Sequence, residues 1–92
     1  MADGEPPVDD LVERIRAIDV STFLQTSAVT LASLAYGKLD AGELDETRLA
    51  IDALGALVPL LEADARRDFA QTRAHLQLAY AAAVGAAAPP AQ

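Results

Sequence analysis

The chain has 92 residues, no cysteine, one histidine and a net charge of −7. A chain of this length forms one small domain, and the lack of cysteine excludes disulfide bonds and thiolate metal sites. Its few basic residues do not cluster, which argues against the positive surface that nucleic acids require. An acidic surface instead suits a basic protein partner, or simply keeps a domain in solution.

The N-terminal residues 1–7 are acidic, contain Gly4 and two prolines, and have the composition of a disordered segment. They lack the basic-then-apolar order of a secretory signal peptide, so we expect a cytoplasmic protein. A short helix is predicted to follow from Val8 to Ile18, because apolar residues recur there at helical spacing. A helix this short is stable only when docked, so we expect it to pack against the rest of the domain.

The stretch Val20–Gly37 comprises eighteen residues without a single charge. Seven of them are Ser, Thr or Gln, which makes the stretch too polar for a membrane span and predicts a helix surrounded by other helices. Asp19 is predicted to cap the helix at its start, and Gly37 to end it. Its predicted inner face consists of Val20, Phe23, Leu24, Ser27, Leu31 and Leu34.

A third helix is predicted after Asp45, which suits an N-cap, and it carries apolar residues on two sides. One stripe suits a core and contains Ala50, Ile51, Leu54, Leu57, Val58 and Leu61. The opposite stripe contains Leu49, Ala53, Ala56 and Leu60. Because proline removes a backbone donor, Pro59 predicts a kink or, as we favour, a break between Val58 and Asp64.

The last predicted helix runs from about Asp64 to Val84, with Gly85 ending it and residues 85–92 forming a disordered tail. Its inner face contains Phe69, Leu76, Tyr80 and Ala83, while Leu78 projects from the opposite side. The sequence thus predicts an all-α fold in one domain, residues 8–84, with three principal helices and the short N-terminal helix. The surplus apolar surface predicts a homodimer, with candidate interface residues Leu49, Ala53, Ala56, Leu60 and Leu78.

Residues with catalytic or metal-binding chemistry do not form a recognisable motif. His75 is the only histidine, and with Asp64 and Asp68 it would make a poor metal site. The hydroxyl residues of the uncharged stretch have no base near them in sequence, as nucleophilic catalysis requires. We therefore expect no enzyme activity, no metal and no cofactor. Phe23, Leu31 and Tyr80 are candidates for lining a small apolar pocket between helices.

Three groups of residues carry a resemblance to a known family. They are Phe23 with Leu31, Leu34 and Gly37; the run Leu49–Leu54 with Leu57; and the run Leu76–Tyr80. Together they resemble the short bacterial proteins called domain of unknown function 1844, over about residues 20–84. Many members have a longer turn between the last two helices than the segment Pro59–Asp64 provides here.

The resemblance implies an all-helical fold but no activity, since none is assigned to the family. Genes of actinobacterial members often lie beside genes for a translation initiation factor and ribosomal proteins, which implies a translation-related role. Two functions therefore remain open at the level of sequence. The first is a non-catalytic interaction or scaffold module whose acidic surface binds a basic, translation-related protein. The alternative is a helical protein that binds a small apolar ligand.

Overall fold

The computed structural model describes residues 8–87. The predicted disordered segment at residues 1–7 lies outside this range, as do residues 88–92 of the predicted tail at residues 85–92. The fold is all-α, with no strand among the described residues. Its elements are α1 (Val8–Arg16), α2 (Val20–Asp40), α3 (Leu44–Leu57), a 3₁₀ turn (Val58–Leu60) and α4 (Ala63–Ala87). Helices α2, α3 and α4 each contact the other two, and α2 with α3 share the most extensive contact.

Helix α2 begins as the sequence predicts, with Asp19 as its N-cap. Both the backbone amide and the hydroxyl of Thr22 donate hydrogen bonds to Asp19 Oδ2, at 3.0 and 2.9 Å. These bonds stabilise the ionised carboxylate, and the hydroxyl bond is the larger reason why the pKa of Asp19 lies below its ordinary value. The cap therefore holds the start of α2 most firmly while Asp19 is charged.

The predicted end of α2 at Gly37 is wrong, because the helix continues to Asp40. The residue with the left-handed backbone is Gly42, at φ 76°. Bonds from the amides of Ala41 and Gly42 to the carbonyls of Gly37 and Leu39, at 3.1 and 3.0 Å, close the last turn. Gly42 is the glycine that ends α2, since its backbone conformation is the one that side chains disfavour.

The predicted N-cap of α3 is also wrong, because the cap is Glu43 rather than Asp45. The amide of Glu43 donates to the Lys38 carbonyl at 2.9 Å, which ties the start of α3 to the end of α2. Asp45 lies in the first turn instead, where the helix dipole favours its charge. Thr47 is fully buried there, and its hydroxyl donates to the Glu43 carbonyl at 2.8 Å.

The chain breaks between α3 and α4, as Pro59 predicts. Helix α3 ends at Leu57, and Pro59 lies in the 3₁₀ turn, at one of the first positions, where a missing amide proton costs no hydrogen bond. The amide of Leu61 donates to the Val58 carbonyl at 3.2 Å, and the Leu61 side chain is buried. This turn lets the chain reverse direction while keeping an apolar side chain in the core.

Helix α4 is longer than predicted. It starts at Ala63 and passes through Gly85 to Ala87, so residues 85–87 belong to the helix and not to a disordered tail. Its inward face is as predicted, with Leu76 fully buried and Phe69, Tyr80 and Ala83 partly buried. Glycine lowers helix stability by only about 1 kcal/mol, and here the surrounding alanines outweigh it.

The core is small and rich in alanine. Its buried apolar residues are Ala28, Ala32, Ala35, Ala50, Ile51, Leu54, Leu61 and Leu76. The alanines of α2 lie at spacings of four and three residues, which lets α3 approach closely. The predicted inner face of α2 is therefore partly wrong. Leu24 and Leu31 pack against the core as expected, but Val20, Phe23 and Leu34 are exposed.

Helix α1 does not dock on the rest of the domain, contrary to the prediction. Every one of its residues is exposed. The molecule is correspondingly long and thin, with Cα extents of 70 × 36 × 15 Å. Packed helices lie about 8–10 Å apart, so a thickness of 15 Å leaves room for only two layers of helices. A thin molecule of this kind leaves apolar side chains uncovered.

Candidate interaction surface

The hairpin of α2 and α3 has one side that faces α4 and one that does not. Arg73 of α4 lies against Gly55, so this side of α3 faces α4. Ala53 is two positions away from Gly55, which places it about 200° around the helix. On α2, Gln25 lines a cleft with the start of α4. Leu34, nine positions later, points about 180° away from Gln25 and hence away from α4.

These two outward sides meet in an apolar groove. A cavity of about 180 Å³ lies in it, with Lys38 and Glu46 at one end. We call this surface the open face, and define it by its apolar lining residues Leu31, Leu34, Leu49, Ala50 and Ala53. Leu49 is 65% exposed and Leu34 is 48% exposed. Burying one such side chain is worth about 1.5–3 kcal/mol, so the open face favours contact with another apolar surface.

Further exposed apolar side chains lie on both helices beyond the open face. Phe23 lies about 20° around α2 from Leu34, on the same flank, and is 56% exposed. Ala56 follows Ala53 on the exposed flank of α3, and Leu60 follows in the 3₁₀ turn with 63% of its side chain exposed. Exposed apolar area that extends this far typically marks an interaction site.

Charged groups lie at the end of the open face and not within it. Lys38 Nζ is 3.5 Å from Glu43 Oε2 and 4.0 Å from Glu46 Oε1. All three side chains are at least one-third exposed, so each pair contributes at most about 1 kcal/mol. One lysine offsets part of the charge of the two glutamates at this end of the groove, and the rest of the lining is apolar.

Of the five predicted interface residues, Leu49 and Ala53 line the open face, and Ala56 and Leu60 are exposed farther along the chain. Leu78 does not join them. It lies two positions from the buried Leu76 and therefore on the outer side of α4, where it is 71% exposed. A single contact surface containing all five residues is not formed within one chain.

The three predicted pocket residues line three different cavities. Phe23 lines a cleft at the start of α2 with Ile15 and Ile18, whereas Leu31 belongs to the open face. Tyr80 lines a polar cleft with residues of α3. Leu31 and Tyr80 also pack against the core, which leaves them little freedom to enclose a ligand together. The predicted pocket is not assembled from these residues.

Sequence reasoning missed Leu34 as a surface residue, because it assigned the largest apolar side chains of α2 to the core. The relevant signal was the spacing of Ala28, Ala32 and Ala35, which defines a narrow seam suited to close helix packing. With that seam inward, helical periodicity puts Phe23 and Leu34 on the exposed flank.

Within residues 8–87, no group of three or more His, Cys, Asp or Glu side chains lies close enough to hold a metal ion. No helix in this range combines the length and apolar character that crossing a membrane requires.

Comparison of the chain with models of protein families, with curated protein sequences and with solved structures finds no match. The resemblance to domain of unknown function 1844 therefore stays a prediction from the sequence.

Proposed function

We propose that this chain is a non-catalytic, cytoplasmic interaction module that acts as a homodimer and binds a basic protein through its acidic surface. The homodimer rests on the uncovered apolar groove of the open face, with the exposed side chains of Phe23, Ala56 and Leu60 on the same two helices and the turn that follows them. The bundle of helices α2, α3 and α4 has its own core, and it gains stability when a second copy covers this surface.

The exposed apolar side chains of the chain support a second copy as the covering partner. Leu34, Leu49 and Leu60 are 48%, 65% and 63% exposed. An interface with two-fold symmetry uses the same surface on both copies, so a second copy offers a matching apolar surface.

The homodimer is tested by light scattering with size-exclusion chromatography. The wild type is expected at twice the chain mass of 9.6 kDa at micromolar concentration. Leu34→Glu and Leu49→Glu place a charge in the open face and are expected to give monomers that retain wild-type helicity by circular dichroism. Leu78→Glu is the matched control, since Leu78 is about as exposed as Leu49, at 71% against 65%, but lies on the outer side of α4, and it should leave the dimer intact.

A wild-type monomer in that experiment would rule out the homodimer. A dimer that survives both open-face variants but dissociates in Leu78→Glu would place the interface on α4 instead. A monomer that carries a co-purifying small molecule by native mass spectrometry would favour the apolar-ligand alternative.

The acidic surface is the second part of the proposal. The chain carries fourteen Asp and Glu residues against seven Lys and Arg. Every described carboxylate side chain belongs to an exposed residue, and Asp45 and Asp52 project from α3 on the side away from its buried stripe. Such a surface attracts a basic partner over long range, and the attraction weakens with salt. The resemblance described above suggests that this partner belongs to the translation machinery.

Affinity purification at two salt concentrations tests the basic partner. Raising the salt from about 0.1 to about 1 M shortens the Debye length from about 10 to about 3 Å, so a partner held by charge should be lost. The double variant Asp45→Lys/Asp52→Lys should lose the same partner at low salt, while Leu78→Gln should keep it. Retention of the partner at high salt by the wild type, or at low salt by the double variant, would contradict an electrostatic contact.

A further inference from the structure

Helix α1 carries an apolar stripe that nothing in the described chain covers. Val8, Leu11, Val12 and Ile15 recur at the spacing of one helix face, and all four are exposed. The charged residues Asp10, Glu13 and Arg16 occupy the other sides, where Arg16 Nη1 pairs with Glu13 Oε1 at 2.9 Å. A nine-residue helix is not stable alone in water, so this stripe needs a partner surface.

The joint between α1 and α2 is ordered and short. The amides of Ala17 and Ile18 donate to the carbonyls of Glu13 and Ile15, at 2.9 and 3.1 Å. Asp19 follows immediately and caps α2. The joint therefore spans only residues 17–19. The distance that α1 can extend from the start of α2 is set by the length of α1 itself.

That length is too short for α1 to cover the open face of its own chain. Nine residues span about 13 Å, so α1 folded back along α2 would reach about the level of residue 29. Leu34 lies fourteen positions beyond Val20, or about 21 Å along the helix. The groove between Leu34 and Leu49 is thus out of reach of the chain's own first helix.

The end of the α1 stripe nevertheless lies next to the flank of α2 that carries the open face. Ile15 and Ile18 line a cleft of about 210 Å³ together with Val20 and Phe23. Phe23 lies on the same flank of α2 as Leu34. When two copies are related by a two-fold axis perpendicular to α2, the start of one α2 lies beside the end of the other. This relation brings each α1 next to the groove at the partner's Lys38 end, where the open face lies.

We propose that the two copies exchange their first helices, so that α1 of each copy docks its apolar stripe on the open face of the other. This inference rests on the proposed homodimer and specifies what covers the groove. An amphipathic helix in an apolar groove is a recurrent mode of recognition. The symmetry doubles every contact, so a short helix contributes twice to the affinity.

Introduced cysteines test the exchange directly, because the natural chain has none. In the double variant Val12→Cys/Ala53→Cys, one cysteine lies on the stripe of α1 and the other on the open face. Mild oxidation is expected to give a disulfide-linked dimer on a non-reducing gel, whereas the single variants Val12→Cys and Ala53→Cys should not cross-link. The control Val12→Cys/Ala81→Cys has its second cysteine on the exposed side of α4 and should remain reduced. A disulfide within one chain, or none at all, would overturn the exchange.

A second variant keeps the test independent of cysteine chemistry. Ile15→Ser removes one apolar contact from each of two arms, and should raise the dimer dissociation constant about 100-fold or more. Arg14→Ser changes a neighbouring exposed residue outside the stripe and should leave the dimer dissociation constant unchanged. If the wild type is a monomer, the homodimer itself is wrong. If it is a dimer that neither cross-links through α1 nor weakens with Ile15→Ser, only the exchange of helices is wrong.

Discussion

The guanidinium group of Arg73 lies across Gly55, at the one point where α3 presents a glycine to α4. A Cβ at position 55 would meet Arg73 Nε and lie 2.7 Å from its Cζ and 2.9 Å from its Nη2. The Nε is buried and finds no hydrogen-bond acceptor within the part of the chain that the structure describes. The missing side chain of Gly55 thus makes room for a long cationic side chain between two helices.

The sign of the effect of Gly55→Ala should depend on Arg73. In the wild-type background the added methyl group overpacks the contact, and we expect a loss of about 1–3 kcal/mol in the free energy of unfolding. In the Arg73→Ala background the same change should gain about 1 kcal/mol, because alanine favours the helix. Urea denaturation of the wild type, the two single variants and the double variant, monitored by circular dichroism, gives the double-mutant cycle. Equal effects in the two backgrounds would contradict the contact.

Substitution of Gly37 and Gly42 by alanine should have opposite effects. Among the described residues, nothing beyond the backbone of its own helix comes within 4 Å of a Cβ on Gly37. Gly37→Ala should therefore stabilise the protein by about 0.8–1 kcal/mol, as alanine does in a helix interior. Gly42→Ala should destabilise it by about 1–2 kcal/mol, because its φ of 76° disfavours a side chain. Thermal unfolding of both variants decides which glycine ends α2.

Leu76 and Leu78 should differ sharply although they are two residues apart. Leu76 is fully buried, and Leu76→Ala should cost about 2–5 kcal/mol through the cavity it leaves. Leu78→Ala removes an exposed side chain and should change the free energy of unfolding by less than about 0.5 kcal/mol. Denaturant unfolding at one protein concentration compares the two. A large loss for Leu78→Ala would mean that another molecule covers this residue.

The cap at Asp19 should make the stability of α2 depend on pH. The pKa of Asp19 is lowered in the folded protein, so its contribution is complete above the ordinary value of 3.8. The contribution should be lost as the pH falls through the lower folded value. Asp19→Asn keeps a side-chain acceptor for the Thr22 amide but does not titrate.

The difference in melting temperature between wild type and Asp19→Asn should therefore favour the wild type at about pH 6 and shrink towards about pH 2. Asp19→Ala, which has no acceptor, should be the least stable of the three at about pH 6. A difference between wild type and Asp19→Asn that stays constant with pH would show that the charge of Asp19 is not used by the cap.

The all-α fold and the break near Pro59 could be predicted because they depend on local chemistry. Proline cannot donate a backbone hydrogen bond, whatever its surroundings. The apolar stripe through Ile51 and Leu54 has helical periodicity, and this pattern does not depend on which helix packs against it. The ends of α2 and α4 could not be predicted in the same way. Glycine permits both a helix interior and a left-handed turn, and the choice between Gly37 and Gly42 depends on how α3 starts.

The inward side of α2 was harder to predict because its wheel offers two apolar flanks. Large side chains such as Phe23 and Leu34 gain most from burial, yet Ala28 and Ala35 allow the shortest distance to α3. Which flank wins depends on the facing helix, and Ala50 there favours the close approach. The open face consists of the flank of α2 that does not pack inward. Because the sequence alone does not decide which flank packs inward, it does not predict the candidate site either.

The short turn at residues 41–43 has a consequence for how the chain is made. Because α2 and α3 are neighbours along the chain and share the most extensive contact, their hairpin has the local connections that fold fast. During synthesis this hairpin emerges from the ribosome before α4 does, since the chain is made from the N-terminus onwards. At that stage both of its apolar sides face the solvent, the one that α4 later covers and the one carrying Leu34 and Leu49. The nascent chain is then more prone to aggregate than the finished protein, and its need for chaperones is greatest before the last helix emerges.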